Sequence, residues 1–252
     1  MVKRVKTGIR GFDELVQGGF PIASTILLTG SPGTGKTIFG LQFLYNGASK
    51  FNEKGLYVTF EQTERALVEQ AKLFGWDFEK YLKNKSIQIL HISTREINQE
   101  TTKSIVEKVM KEKIHRLVID SISTLAINAP IYTFMTDTAL IDISNGRSFF
   151  SPPIVGDFIV KRFIYSFIDD LRNVDHCTTI MISESPEKGE YLSRDTISEF
   201  VCDGIIHIVF ESMGGEFSRS LLVRKMRHTK NDEDIHPLEI NNKGLVVHST
   251  EK

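Results

Sequence analysis

The chain has 252 residues, 40% of them hydrophobic and 25% charged, ordinary values for a folded globular protein that exclude a disordered or membrane-embedded chain. Lys and Arg number 31 against 32 Asp and Glu, a formal net charge of -1, so no overall basic field points to nucleic acid. The two cysteines, Cys177 and Cys202, lack CxxC spacing and the seven histidines lack HxxxH or HxH spacing, which argues against a zinc site and for small core thiols in a reducing compartment.

Met1 to Lys6 is basic and lacks the apolar segment of a secretory signal, and no apolar run approaches the roughly 20 residues of a membrane-spanning helix, so a cytoplasmic protein is expected. Thr7 to Pro21 is punctuated by Gly8, Gly11, Gly18 and Gly19 around a Phe12-Asp13-Glu14-Leu15 turn. Ser24 to Leu28 reads as the first core strand, and Thr37 to Ala48 as a helix with Ile38, Leu41, Phe43, Leu44 and Tyr45 at helical offsets. Gly55 to Phe60 is a buried strand, Thr63 caps a helix reaching about Phe74, and Ser86 to Ile92 is a third strand. Thr101 to Lys111 is amphipathic and leads into the strand Arg116 to Asp120.

From Ser121 to Asp157 the pattern weakens, and Pro130, Gly146, Pro152, Pro153 and Gly156 predict a long excursion of loops with at most a short helix. A helix from about Phe158 to Asn173 and a strand from Cys177 to Ser183 restore the alternation. Gly204 to Phe210, Ser220 to Met226, Pro237 to Ile240 and Leu245 to Val247 read as strands joined by turns, an antiparallel extension. The fold class is therefore α/β, a mainly parallel central sheet flanked by helices with a C-terminal antiparallel extension. No polar linker divides it, so residues 1–252 are expected to form one domain.

The strongest motif is Gly30-Ser31-Pro32-Gly33-Thr34-Gly35-Lys36-Thr37, set between a strand and a helix. Its glycines let the backbone curl so that successive N–H groups face a phosphate, which a Cβ would obstruct. Ser31, Pro32, Gly33, Thr34, Gly35, Lys36, Thr37 and Ile38 are the expected nucleotide-binding positions, with Lys36 reaching the β- and γ-phosphates and Thr37 offering its hydroxyl to magnesium. Asp120 closes the apolar run Leu117-Val118-Ile119, which puts a carboxylate at the same sheet edge as a second magnesium ligand; a strand-ending Asp that caps the next turn is the alternative. Glu61 ends the second strand at that edge. It could activate an attacking water, or be a solvated residue ahead of the helix capped by Thr63.

The order of phosphate loop, Phe60-Glu61, Asp120-Ser121 and Lys225-Met226-Arg227 resembles that of RecA-superfamily P-loop ATPases, and the opening Thr7-Gly8-Ile9-Arg10-Gly11-Phe12-Asp13 with Gly18-Gly19-Phe20-Pro21 is similar to their KaiC and RadA/Sms branch. The resemblance covers nearly the whole chain. It implies a RecA-like fold and a ring, a hexamer, that binds ATP with Mg2+ between subunits, with a regulatory output. It also implies that Glu61 is the catalytic carboxylate and that Lys225 and Arg227 reach the γ-phosphate bound to the neighbouring subunit, in the manner of an arginine finger. Read without the resemblance, Arg224 to His228 is only a basic run at a strand end.

Two departures from the family pattern stand out. Gln62 follows Glu61 where KaiC-type domains carry a second acid, which makes hydrolysis less secure than binding. Glu199-Phe200 stand where KaiC has its autophosphorylated Ser-Thr, so no clock-type autokinase activity is expected there. Ser183-Glu184, ending the last core strand, are similar to the polar sensor of the family; a plain strand-to-loop junction is the alternative.

Two other functions compete. A DNA-acting relative, a recombinase or helicase accessory, would line its loops with cations and stacking groups. Segment 121–157 offers Tyr132, Phe134, Phe149 and Phe150 but Arg147 as its only cation, which disfavours nucleic acid; the segment could equally form a surface for a protein client. A GTPase is hinted at by Thr229-Lys230-Asn231-Asp232, which matches [NT]KxD, yet Asp120 is followed by Ser121-Ile122-Ser123 and not by the DxxG of that class.

Overall fold

The structure, a computed structural model, describes residues 2–129, 152–185, 191–213 and 216–249, the side chains of 152–155, 211–213 and 216–217 excepted. In chain order the elements are β1 (Arg4–Val5), α1 (Phe12–Leu15), β2 (Phe20–Pro21), β3 (Thr25–Gly30), α2 (Lys36–Lys50), β4 (Gly55–Thr59), α3 (Glu64–Lys72) and α4 (Phe78–Lys83). They continue with β5 (Ile87–His91), a 3-10 turn at Thr94–Glu96, α5 (Gln99–Glu112), β6 (Arg116–Asp120), α6 (Ile122–Ile127), α7 (Pro152–Arg172), β7 (Thr178–Glu184) and α8 (Ser198–Val201). The chain closes with β8 (Gly204–Met213), β9 (Glu216–Met226), β10 (His236–Asn241) and β11 (Gly244–Val247).

Nine strands form one sheet in the order β11-β10-β9-β8-β3-β7-β6-β4-β5, and β1 pairs with β2 in a separate antiparallel ribbon. Six neighbouring strands, β8 to β5 in that order, run parallel, and β9, β10 and β11 extend the sheet antiparallel. The extension thus begins one strand later than the sequence predicts. Ile26 to Gly30 pair in parallel with Gly204 to Ile208, so β8 belongs to the parallel core although a turn and not a long helix leads out of it.

The central strands β3, β4, β6 and β7 are buried almost throughout because both faces of the sheet are covered there. Alternate residues then serve opposite cores. Ile26, Leu28, Tyr57, Val118, Ile180 and Ile182 pack against Phe39, Phe43 and Leu44 of α2 and Phe12 of α1. Leu27, Leu56, Val58, Leu117, Ile119 and Met181 pack against Ile105 and Val109 of α5 and Phe163, Phe167, Ile168 and Leu171 of α7.

Helix starts follow their caps: Thr63 accepts from the Ala66 amide, Asp77 from Lys80, Asn98 from Glu100 and Ser121 from Thr124. The segment Phe12–Leu15, predicted as a turn, is one helical turn, and α4 and the β1–β2 ribbon have too few residues to announce themselves. The main correction concerns α7. Pro152 and Pro153 open that helix instead of breaking the chain before it, because the first turn needs no amide donors and proline is pre-set for it. The predicted loop residues 130–151, with Tyr132, Phe134, Arg147, Phe149 and Phe150, lie outside the described residues.

Candidate functional site

All parallel strands end on one edge of the sheet, where ligands of open α/β folds bind. The loop from Gly30 to Gly35 leaves β3 at that edge and enters α2 at Lys36. Gly33 and Gly35 have φ of 79° and 106°, in the left-handed region. At Gly30 the need for glycine is steric, since a Cβ would lie 2.4 Å from the Ile208 carbonyl oxygen. Thr34 is buried and its hydroxyl donates to the Ser31 carbonyl at 2.9 Å, closing the loop on itself. Lys36 Nζ donates to the Gly30 and Ser31 carbonyls at 2.8 Å each, and burial lowers its pKa against the opposing pull of Glu184, Asp120 and Glu61. Ser31, Pro32 and Gly33 lie at the surface of the loop, and Ile38 turns toward the core on the α2 side.

Asp120, at the end of β6, is brought to this loop by strand register. Its Oδ2 accepts from Thr37 Oγ1 at 3.1 Å and from the Tyr57 hydroxyl at 2.6 Å. Burial raises the Asp120 pKa, and the two hydrogen bonds oppose that rise. Tyr57 is fully buried and its pKa is pushed well above the ordinary phenol value by burial and by the Asp120 charge. A hydroxyl and a carboxylate side by side are the hard oxygen donors that magnesium takes, sparingly, from protein when phosphates and waters supply the rest, so the residues present fit that ion.

Glu61 follows β4, and its carboxylate accepts from the Thr124 hydroxyl in the first turn of α6. The Thr59 hydroxyl accepts from the amides of Glu61 and Gln62 at 3.3 and 3.0 Å, which pins the turn carrying Glu61. Ser183 Oγ lies 3.1 Å from Ser123 Oγ, and Glu184, level with Gly30 across the β3–β7 pair, holds Arg194 at 3.0 Å. Lys36, Thr37, Glu61 and Asp120 are thus collected at one edge.

Lys225 and Arg227 are not. Lys225 pairs with Ile205 and the Arg227 amide donates to the Asp203 carbonyl, while the Asp203 amide donates to Thr25, so both sit where the parallel strands begin. The length of β3, five residue steps or roughly 17 Å, separates that edge from the loop of the same chain. Lys225 Nζ donates to the Cys202 carbonyl at 2.7 Å, and burial with the nearby Arg227 charge lowers its pKa. Arg227 pairs with Asp203 at 3.0 Å. Burial works to raise the Asp203 pKa, but Thr25, Arg172 and Arg227 together hold it below the ordinary value. Thr229 to Asp232 lie at this same far edge, where Thr229 accepts from Arg4 at 2.6 Å and Asn231 donates to the Val223 carbonyl at 2.9 Å; they are remote from the phosphate-type loop.

Four residues at or behind the site carry no motif. Tyr57 and Thr124 hold Asp120 and Glu61 respectively. Arg219, from β9, donates to the Gly33 carbonyl at 3.3 Å and stacks its guanidinium 4.6 Å from the Phe210 ring centre. Glu199 is buried and accepts from the Leu192 and Ser193 amides at 2.6 and 2.7 Å, which orders the segment between the two edges. Tyr57 has a sequence signal in its hydroxyl within an otherwise apolar strand, whereas Arg219, between Ser218 and Ser220, has none.

A parallel sheet with a strand-loop-helix of this composition and an acidic strand end beside it defines a P-loop nucleotide-binding ATPase domain of the RecA type. The chain matches the family described as "ATPase: KaiC" over residues 5–133 and 157–252, and it belongs to that family. It is 32% identical to a UPF0273 protein of Thermotoga maritima, covering 100% of this chain and 98% of that one, and 33% identical to the UPF0273 protein MJ1359 of Methanocaldococcus jannaschii, covering 98% and 97%. It is 28% identical to the circadian clock oscillator protein KaiC of Synechococcus elongatus, where it covers 98% of itself but 44% of that longer protein. Among solved structures, the KaiC-like protein PH0186 from Pyrococcus horikoshii OT3 superposes with a TM-score of 0.76 at 35% identity, covering 99% of this chain and 100% of that one. Membership of the family implies nucleotide binding. No helix among the described residues is long and apolar enough to cross a membrane.

Proposed function

We propose that residues 1–252 work as a single magnesium-dependent ATPase domain in a homo-oligomeric ring, a hexamer, with nucleotide held between subunits and a regulatory output. The observation that carries the reading is the hydrogen bond of 3.1 Å between Thr37 and Asp120, which joins the loop of β3 to the acidic end of β6 beside Lys36 and Glu61.

In this reading the backbone from Ser31 to Ile38 wraps the phosphates, and Lys36 exchanges the Gly30 and Ser31 carbonyls for phosphate oxygens. Thr37 and Asp120 would hold magnesium, which when bound neutralises phosphate charge. Glu61 orients a water and takes its proton as the water oxygen bonds to the γ-phosphorus, and the bond from that phosphorus to the bridging oxygen breaks to leave ADP. Lys225 and Arg227 are too far from their own loop to serve it. Their position on the opposite edge supports a role at the γ-phosphate of a neighbouring subunit, where such a cation contributes roughly 10³- to 10⁵-fold in rate.

The test is turnover of ATP and of GTP with magnesium, alongside solution mass, for the wild type, Glu61→Gln and Arg227→Ala, with and without single-stranded DNA. The expected result is ATP-specific turnover by a ring, reduced to a small residual rate in both variants and indifferent to DNA. Mixing Lys36→Ala with Arg227→Ala subunits then restores part of the activity, because some interfaces receive an intact loop and an intact arginine. A monomer with unimpaired Arg227→Ala turnover sinks the shared site, and severalfold stimulation by DNA favours a DNA-acting relative instead.

A further inference from the structure

We propose that Thr124 is the positioning residue for Glu61, holding one carboxylate oxygen so that the other faces the attacking water; this rests on the hydrolytic reading above. Glu61 is exposed, and a glutamate side chain left free there samples many rotamers. What limits it is the hydroxyl of Thr124, which donates to Oε1. An ionised carboxylate can only accept, so the single hydroxyl hydrogen of Thr124 is committed to Glu61. The Ser121 hydroxyl, 2.8 Å from Thr124 Oγ1, must then be the donor in that contact. Ser121 to Thr124 to Glu61 is a directed chain with every hydrogen assigned, and it ends on a charge-assisted bond.

The chain closes a frame around the acidic strand end. β4 and β6 are neighbours, Thr59 pairs with Asp120, and the Phe60 amide donates to the Asp120 carbonyl at 3.0 Å. Glu61, two residues after Thr59, and Thr124, four residues after Asp120 in α6, then meet again through their side chains. The Glu61 carboxylate is thereby referenced to Asp120 through both backbone and side chain. As a β-branched residue in a helix, Thr124 has few χ1 options, so its hydroxyl direction is set by α6 itself.

The helix start does not need this hydroxyl. Ser121 caps α6 by accepting from the backbone amide of Thr124 at 3.1 Å, a bond that any residue at 124 supplies. Replacing Thr124 with the isosteric valine therefore removes the link to Glu61 and keeps the cap, which separates positioning from folding.

The experiment measures kcat and KM for ATP, equilibrium binding of a fluorescent ATP analogue, and thermal melting for Thr124→Val, Thr124→Ser, Glu61→Gln and the Thr124→Val/Glu61→Gln double variant, all in the full chain. Thr124→Val is expected to lower kcat by about 10- to 100-fold, the range for a misplaced catalytic group. KM, analogue affinity and melting temperature should stay near wild type, and Thr124→Ser should keep turnover within a few-fold. In the Glu61→Gln background, Thr124→Val should add little further loss, because both changes remove the same contribution. Wild-type turnover by Thr124→Val with an impaired Glu61→Gln overturns the proposal alone, as does an equal fold-loss in both backgrounds. Unimpaired Glu61→Gln overturns the hydrolytic role of Glu61 and this proposal with it.

Discussion

The phenol of Tyr57 donates to Asp120 Oδ2 at 2.6 Å, the same oxygen that receives Thr37 at 3.1 Å. Tyr57 stands on β4, next to β6, and projects into the layer between sheet and α2, so its ring is core and its hydroxyl reaches the site. Such a residue couples packing to electrostatics, because the buried carboxylate depends on its donors. Tyr57→Phe keeps the ring and removes the donor. We expect a loss of about 1.5–3 kcal/mol in urea titration, the range for a hydrogen bond to a charged group, with an unchanged m-value. An unchanged midpoint would mean that Thr37 alone suffices.

The raised pKa of Asp120 predicts a pH effect in the nucleotide-free protein. A carboxyl whose folded pKa lies above its unfolded one binds its proton more tightly when folded, so it destabilises the fold as it ionises. The penalty is absent below the ordinary value of 3.8, grows as pH rises from there to the raised folded value, and is constant above it. Asp120→Asn, which never ionises, should therefore gain melting temperature relative to wild type as pH climbs through that window. The opposite trend would show that Tyr57 and Thr37 outweigh burial.

Gly47 faces Arg116 across the interface of α2 and β6. Arg116 is fully buried, bonded to Glu53 at 2.6 Å and to the carbonyls of Phe43 and Lys6 at 2.8 and 2.7 Å, with the Phe43 ring centre 4.5 Å from its guanidinium carbon. A Cβ on Gly47 would meet Arg116 Cδ and Nε at 2.5 Å, and an arginine held on so many sides has nowhere to go. Helix propensity alone favours Gly47→Ala by roughly 1 kcal/mol. We expect overpacking to reverse that sign, with a net destabilisation of about 1–3 kcal/mol by chemical denaturation. A stabilised variant would show the Arg116 cluster to be soft.

Cys177 and Cys202 are buried, and burial pushes both thiols up to about 12. The thiolate is the reactive form, so neither cysteine should react with iodoacetamide at pH 8 in the native protein, and both should react once urea unfolds it. Mass spectrometry after a timed pulse reads the number of adducts. A single rapid native adduct would locate local opening at one strand end.

Much of the architecture was legible in the chain. The strand Arg116–Asp120 is marked in the sequence with its true boundaries, and most other elements to within a few residues, because strands covered on both faces are continuous apolar runs. The reading failed where one residue type has two uses. Pro152 and Pro153 break a helix interior but are at home in a first turn, and the strand β8 carries no local mark that it lies parallel to β3.

The sequence by itself determined the phosphate-type loop and the acidic strand end, since both are written in consecutive residues: glycines for the backbone curl, then lysine, then threonine, and an aspartate after an apolar run. Only the tertiary structure decided which other groups meet them. Tyr57 and Asp120, like Glu61 and Thr124, are 63 residues apart, and Arg219 is 186 residues from Gly33. Strand order and register bring these pairs together, and both are set by the summed burial of two cores, which leaves no trace in the local spacing of a tyrosine, a threonine or an arginine.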